Sequence, residues 1–222
     1  TDDTTAINAA IAAICGTTSG KGGVVWFPVG DYLVSSINAT GLQSCTLRGA
    51  GQAENTGSAI GTPIGVRLLP KTAGKAVLDL TASYSVSVEN IQVGTTVTCA
   101  ACAVPAVGIL AAQKQGSAAS EKIFLRNVFV TGSYTVAAFH SISVGGAMYD
   151  TRIWNYQDAA VYSTVFSNDN PDSVTSDYQT IISSGFPGGC WQLYNTEIHE
   201  KAKVAGSSNA TALRIRSVSG CL

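Results

Sequence analysis

Four short stretches of the chain share one pattern, an apolar residue, any residue, asparagine and then a mostly apolar tail. They are Val88-Glu89-Asn90-Ile91-Gln92-Val93, Leu125-Arg126-Asn127-Val128-Phe129-Val130, Ile153-Trp154-Asn155-Tyr156-Gln157-Asp158 and Leu193-Tyr194-Asn195-Thr196-Glu197-Ile198. Leu47-Arg48-Gly49 reads as an earlier, degenerate copy. A unit recurring every roughly 28 to 40 residues marks a solenoid, in which neighbouring repeats stack to bury a continuous core. Asparagine suits the corner of such a coil, because it tolerates left-handed backbone and its amide can bond groups that the strand ladder leaves open. The unequal intervals predict loops of different length between coils. Chance recurrence of a surface-turn pattern is the competing explanation, and four copies, each led by an apolar residue, weigh against it.

Between these marks run short β-rich segments broken by Gly, Ser, Thr and Asn, such as Val24-Val25-Trp26-Phe27, Tyr32-Leu33-Val34, Cys45-Thr46-Leu47 and Ala76-Val77-Leu78-Asp79-Leu80. The helical period shows only at the start. There Ile7, Ile11 and Ile14 share one face behind Thr and Asp residues able to cap free N–H groups, and Gly16 stops the run. The chain therefore divides into a helix and turn over 1–20 and a nearly all-β body over 21–222.

Only 12% of residues are charged, with 13 Lys plus Arg against 14 Asp plus Glu, so uncharged polar groups must carry solubility. Without a basic excess there is no surface to displace counterions from phosphates, which argues against nucleic acid, and no apolar run approaches the roughly 18 residues of a membrane span. The polar opening Thr1-Asp2-Asp3-Thr4-Thr5 is no signal peptide, so an export segment or preceding domain is expected to lie outside this sequence. Of the cysteines at 15, 45, 99, 102, 190 and 221, only Cys99 and Cys102 form a CxxC, with no second pair or histidine to complete a zinc site. A disulfide is open to them in an oxidising compartment, but buried thiols packed as small apolar groups are the default expectation. No metal or other cofactor is expected.

TDDTTAINAAIAA at 1–13, GGVVWFPVGDYLVSS at 22–36 and CTLRGAG at 45–51 resemble the N-terminal part of the right-handed parallel β-helix of the pectate lyase superfamily. The likeness is greatest to the branch shared by bacteriophage tailspikes and rhamnogalacturonase or epimerase-like proteins. It is specific over about the first fifty residues; beyond Gly51 only the repeats carry it. The resemblance implies an all-β fold, a right-handed single-stranded parallel β-helix with a short N-terminal capping α-helix. Members usually carry a Gly-Asp-Gly segment before the first of these motifs, and no closing element is evident at Cys221-Leu222, so the solenoid is expected to be truncated at both ends.

With the asparagines in register, alternation of side chains along a strand lays rows on the outside. The residue before each asparagine gives Glu89, Arg126, Trp154 and Tyr194; two earlier come Ser87, Phe124, Arg152 and Gln192. Trp154 and Tyr194 can cover the apolar face of a sugar and Arg152 or Arg126 can pair with a sugar carboxylate, so Arg126, Arg152, Trp154 and Tyr194 are the candidate substrate-binding residues. The alternative is a Glu89–Arg126 ion pair and aromatics covered by a loop or subunit. Glycoside cleavage needs paired carboxyl groups and elimination from a uronic acid needs a base, which singles out Asp150, Asp158, Glu197 and His199 as catalytic candidates. Glu197 and His199 share a strand face. Asp158 stands where other repeats have Val93, Val130 and Ile198, so either the register is slipped there or the acid is a perturbed functional group. His140 is expected to be a satisfied, partly buried histidine, and the oxygen-rich loop Ser167–Asp172, with Asp177 beyond, a solvated loop rather than a cation site.

The resemblance implies a tailspike-like protein, homotrimeric, located on a virion tail or otherwise extracellular, that binds and depolymerises a cell-surface polysaccharide beside other tail proteins. A secreted pectate-lyase-like or rhamnogalacturonase-like enzyme and a non-catalytic shaft of a tail fibre are the alternatives. Neither nucleic acid nor membrane insertion is expected.

Overall fold

The computed structural model describes residues 1–16, 22–51, 58–112, 122–142, 144–154, 159–164, 191–199 and 211–216. All strand pairing among them is parallel and falls into three six-stranded sheets. The first sheet holds β1 (Gly23–Phe27), β4 (Cys45–Gly49), β7 (Val86–Glu89), β10 (Ile123–Arg126), β13 (Gly146–Tyr149) and β16 (Trp191–Tyr194). The second holds β2 (Gly30–Val34), β5 (Val66–Pro70), β8 (Ile91–Val93), β11 (Phe129–Thr131), β14 (Arg152–Trp154) and β17 (Glu197–His199). The third holds β3 (Ile37–Asn38), β6 (Ala76–Asp79), β9 (Val107–Ala112), β12 (Ala137–Ile142), β15 (Ala159–Thr164) and β18 (Thr211–Arg216). The chain thus lays one strand in each sheet before rising to the next coil, which is a parallel β-helix.

The core follows from the period of two. Val25, Leu47, Val88, Leu125 and Met148 point inward from the first sheet and stack in register, and Leu68, Val93, Val130 and Ile153 do the same from the second. Burying each such side chain stabilises the coil by about 1.5–3 kcal/mol, and like sits on like, so every coil needs its neighbours.

The corner from first to second sheet is set by left-handed residues. Asn90, Asn127, Asp150 and Asn195 have φ of 55°, 49°, 49° and 47°. Asn127 Nδ2 donates to Asn90 Oδ1 at 2.8 Å and Asn195 Nδ2 to Asp150 Oδ1 at 2.6 Å. The third rung is therefore Asp150, not Asn155: Tyr149 is the residue in register with Arg126 and Tyr194, while Ile153 and Trp154 belong to β14 of the second sheet. Register was slipped there, which removes the reason to read Asp158 as an inward acid; Asn155 and Asp158 lie outside the described residues. Gly49 stands earlier in the corner column, where a Cβ would collide with the carbonyl oxygen of Asn90.

Helix α1 (Thr4–Ile14) closes the first coil. Its buried face is Ile7, Ile11 and Cys15, while Ile14 is 46% exposed and does not belong to it as the spacing predicted. Asp3 makes no side-chain cap bond to the helix. The polar residues instead serve the sheet edge as a missing coil would: Asp3 Oδ2 accepts from the Leu33 N–H at 3.0 Å, Thr4 Oγ1 from Ser35 at 2.7 Å and Asn8 Oδ1 from Asn38 at 2.9 Å. Hydroxyls of Ser35 and Thr4, with the Thr4 N–H, donate to Asp2 and hold its carboxyl well below the usual range.

A disulfide between Cys15 and Cys45, 30 residues apart, ties this helix to β4, and a second joins Cys99 to Cys102. Both correct the expectation of free thiols; Cys190, Cys221 and the loop 167–177 lie outside the described residues.

Candidate functional site

Trp26, Arg48, Glu89, Arg126, Tyr149 and Tyr194 succeed one another across the first sheet, one per strand. The first five face outward because each follows a buried apolar residue, and Tyr194 follows Leu193, which is in register with Met148. At about 4.8 Å between strands the row runs roughly 24 Å along the axis. Trp26 and Tyr194 are 57% and 48% exposed, so flat rings stand at both ends with charge between them.

The charged middle is organised by neighbours on the same face. Arg48 Nε donates to Glu89 Oε2 at 2.7 Å and Ser87 Oγ to Glu89 Oε1 at 2.8 Å. Partial burial alone would raise the Glu89 carboxyl, but these bonds and the charges of Arg48 and Arg126 outweigh it and leave Glu89 below its ordinary value. Glu89 is a fixed anion here. Its ion pair is with Arg48 rather than with Arg126. The Arg126 guanidinium lies 4.4 Å from the Tyr149 ring centroid and 5.4 Å from that of Phe124, and Tyr149 stacks on Tyr194 at 4.9 Å with 5° between planes. Tyr194 donates in turn to Gln192 Oε1 at 2.9 Å. Arg126 is thereby seated over the Tyr149 ring and exposed to solvent, where a guanidinium can meet a carboxylate.

Around the corner, the second sheet carries the other candidates. Arg152 and Glu197 are in register and pair at 3.3 Å between Nε and Oε2, with side chains 47% and 44% exposed. Trp154 packs edge-on against Phe129 at 5.4 Å and is in register with His199. Arg152 and Trp154 thus leave the row in which the spacing put them. Glu197 and His199 stand two apart on β17, and exposed Asp150 sits at the corner between β13 and β14. The structure therefore gathers Arg126, Tyr194 and Asp150 on one side of the corner and Arg152, Trp154, Glu197 and His199 on the other. Sequence reasoning missed Trp26, Arg48 and Tyr149 as members of the row; the alternation behind Val25, Leu47 and Met148 was the signal that could have found them.

The second-sheet column has a contrasting far end. Arg67 Nε and Nη2 donate to the two oxygens of Asp31 at 2.6 and 2.8 Å, and Arg67 also donates to the carbonyls of Ser58 and Ala59 at 3.0 and 3.1 Å. Burial would raise Asp31, but Arg67 and the Gly61 N–H hold it below its ordinary value. His140, expected to be partly buried, is completely enclosed, and burial pushes it down to about 3, so it stays neutral. Among the described residues no group of three or more His, Cys, Asp or Glu is placed to hold a metal ion, and no helix is long and apolar enough to cross a membrane.

Residues 1–185 match a family model described as rhamnogalacturonase A/epimerase, pectate lyase-like. No curated protein and no solved structure matches the chain.

Proposed function

The chain belongs to the pectate-lyase-like rhamnogalacturonase A/epimerase family, and from that premise we propose that it is a secreted protein that binds, and cleaves, an acidic polysaccharide along the outer face of its first sheet. The observation that carries this is the outward row from Trp26 to Tyr194: rings for the apolar faces of sugars, and Arg126 over the Tyr149 ring to receive a uronate carboxylate. A straight polymer laid along the axis meets one side chain per strand. Asp150 and Glu197, carboxylates of neighbouring coils near the same corner, are the groups proposed for proton transfer, with Arg152, Trp154 and His199 beside Glu197.

The tailspike-like reading, a homotrimer attached to other virion proteins, is the second proposal. The two disulfides favour secretion, because such bonds persist in oxidising compartments and a virion protein assembles in a reducing cytoplasm. A panel of acidic and neutral glycans, read by absorbance of unsaturated products and by new reducing ends, tests the activity. Cleavage of an acidic polymer that Asp150→Asn or Glu197→Gln abolishes supports the reading. Binding without cleavage reduces it to a lectin-like shaft, and a stable trimer in sedimentation favours the tailspike. No binding to any acidic glycan, or binding unaltered in Arg126→Ala, overturns it.

A further inference from the structure

The third sheet carries, at its first strand, a group that the first-sheet row does not use. Strand β3 ends at Asn38, and Asn38-Ala39-Thr40 is one of two Asn-x-Ser/Thr triplets in the chain without proline at the centre. The other is Asn209-Ala210-Thr211, whose asparagine lies outside the described residues. Such a triplet on the surface of a secreted protein is the acceptor pattern for an N-linked glycan. Ile37 points into the core, so Asn38 points out. Asp79, Leu110 and His140 follow it in register across the sheet. Of these four Asn38 alone is exposed; Asp79 is half-buried, and Leu110 and His140 are completely enclosed.

The Asn38 carboxamide is fixed at its oxygen and open at its nitrogen. Oδ1 accepts from the Thr40 N–H at 3.2 Å and from Thr40 Oγ1 at 2.6 Å, while the Asn38 backbone N–H donates to Asn8 Oδ1 at 2.9 Å. Because the carboxamide is planar, holding Oδ1 in the turn directs Nδ2 away from it, and no described residue accepts from that nitrogen. The next coil shows what the turn itself requires. There Asp79, in register with Asn38, accepts from the Thr81 N–H at 2.9 Å and closes the same two-residue turn with a carboxylate. An oxygen acceptor is therefore enough for the fold, and the amide nitrogen at Asn38 is surplus to it.

We propose that Asn38 is a site of N-linked glycosylation, an inference that rests on the secreted reading above. Nδ2 forms a bond to the anomeric carbon of an oligosaccharide carried on a lipid diphosphate; the bond from that carbon to the diphosphate breaks, the diphosphate leaves as an anion and Nδ2 gives up one proton. The glycan stands on the third sheet, clear of the first-sheet row, and adds hydroxyls to a chain of which only 12% is charged. The test is peptide mass mapping of the full chain secreted from a eukaryotic cell behind an export signal, before and after the amidase that releases N-linked glycans. The peptide holding Asn38 should carry hexose and N-acetylhexosamine mass, which the amidase removes. Thr40→Ala should abolish the modification and Thr40→Ser retain it. Asn38→Asp should abolish it without lowering the thermal midpoint of the deglycosylated chain, since Asp79 closes the same turn. Binding of an acidic glycan should not change on deglycosylation, so loss of the polysaccharide reading leaves this one standing. An unmodified Asn38 beside a modified Asn209 overturns the proposal while secretion stands. An unmodified chain with both disulfides formed, or a glycan at Asn38 that persists in Thr40→Ala, overturns it as well.

Discussion

Asp31–Arg67 and Arg152–Glu197 occupy the same outward column of the second sheet, at opposite ends, with Gln92 and Phe129 between them. Both are ion pairs of one Arg with one carboxylate. At the first end the side chains are 0% and 9% exposed, beneath a segment whose carbonyls at Ser58 and Ala59 take two more of the guanidinium hydrogens. At the second they are 47% and 44% exposed and 3.3 Å apart. The difference teaches that strand register supplies the pairing, whereas what lies over it decides whether a charged pair is a fastening or a surface. A pair held by water can exchange its partner for a ligand; a sealed one cannot without breaking the fold.

Three measurements press on that contrast. The largest effect belongs to Arg67→Ala, which leaves Asp31 enclosed without its counter-charge and should cost about 3–5 kcal/mol in denaturant unfolding. A cost no greater than that of Arg152→Ala would erase the distinction. Next comes acid. Asp31 is held below its ordinary value, so its contribution is complete above the unfolded value of about 3.9 and is lost as pH falls through the lower folded value, by at most about 1.4 kcal/mol per pH unit. Thermal midpoints of the wild type should therefore fall more steeply below about pH 4 than those of Asp31→Asn, and parallel curves would refute the assignment. Smallest is the exposed pair: Arg152→Ala or Glu197→Gln should change stability by no more than about 0.5 kcal/mol at moderate salt. A loss several times larger would mean that this end too is a fastening.

The contrast was not legible in the sequence, because both pairs join residues dozens of positions apart, and nothing local to Arg67 announces the cover of 58–61. What was legible was whatever repeats. The inward apolar residue, the outward residue and the left-handed corner recur in fixed order, and from them came the solenoid and the first, second and fourth rungs at Asn90, Asn127 and Asn195, while the parallel β-helix came from the family resemblance of the first fifty residues. The third was misread because Asp150 does the corner's work without being asparagine, while Ile153-Trp154-Asn155 imitates the pattern from the next sheet. Extending the motif by three residues separates them: Val93, Val130, Ile153 and Ile198 close the true copies, where the imitation ends in Asp158. Arg152 and Trp154 were carried into the wrong row by that one slip. The Cys15–Cys45 bond was hidden for another reason. It depends on where the helix docks, and the face that docks ends in Cys15 instead of Ile14.

That bond has a mechanical corollary. A structure in which each turn leans only on the turns beside it comes apart like a zip, from a terminus inward, and covalent stitching of the first turn blocks one starting point. Under tension or attack by proteases, unravelling should advance from the opposite end, and reducing agents should abolish that polarity.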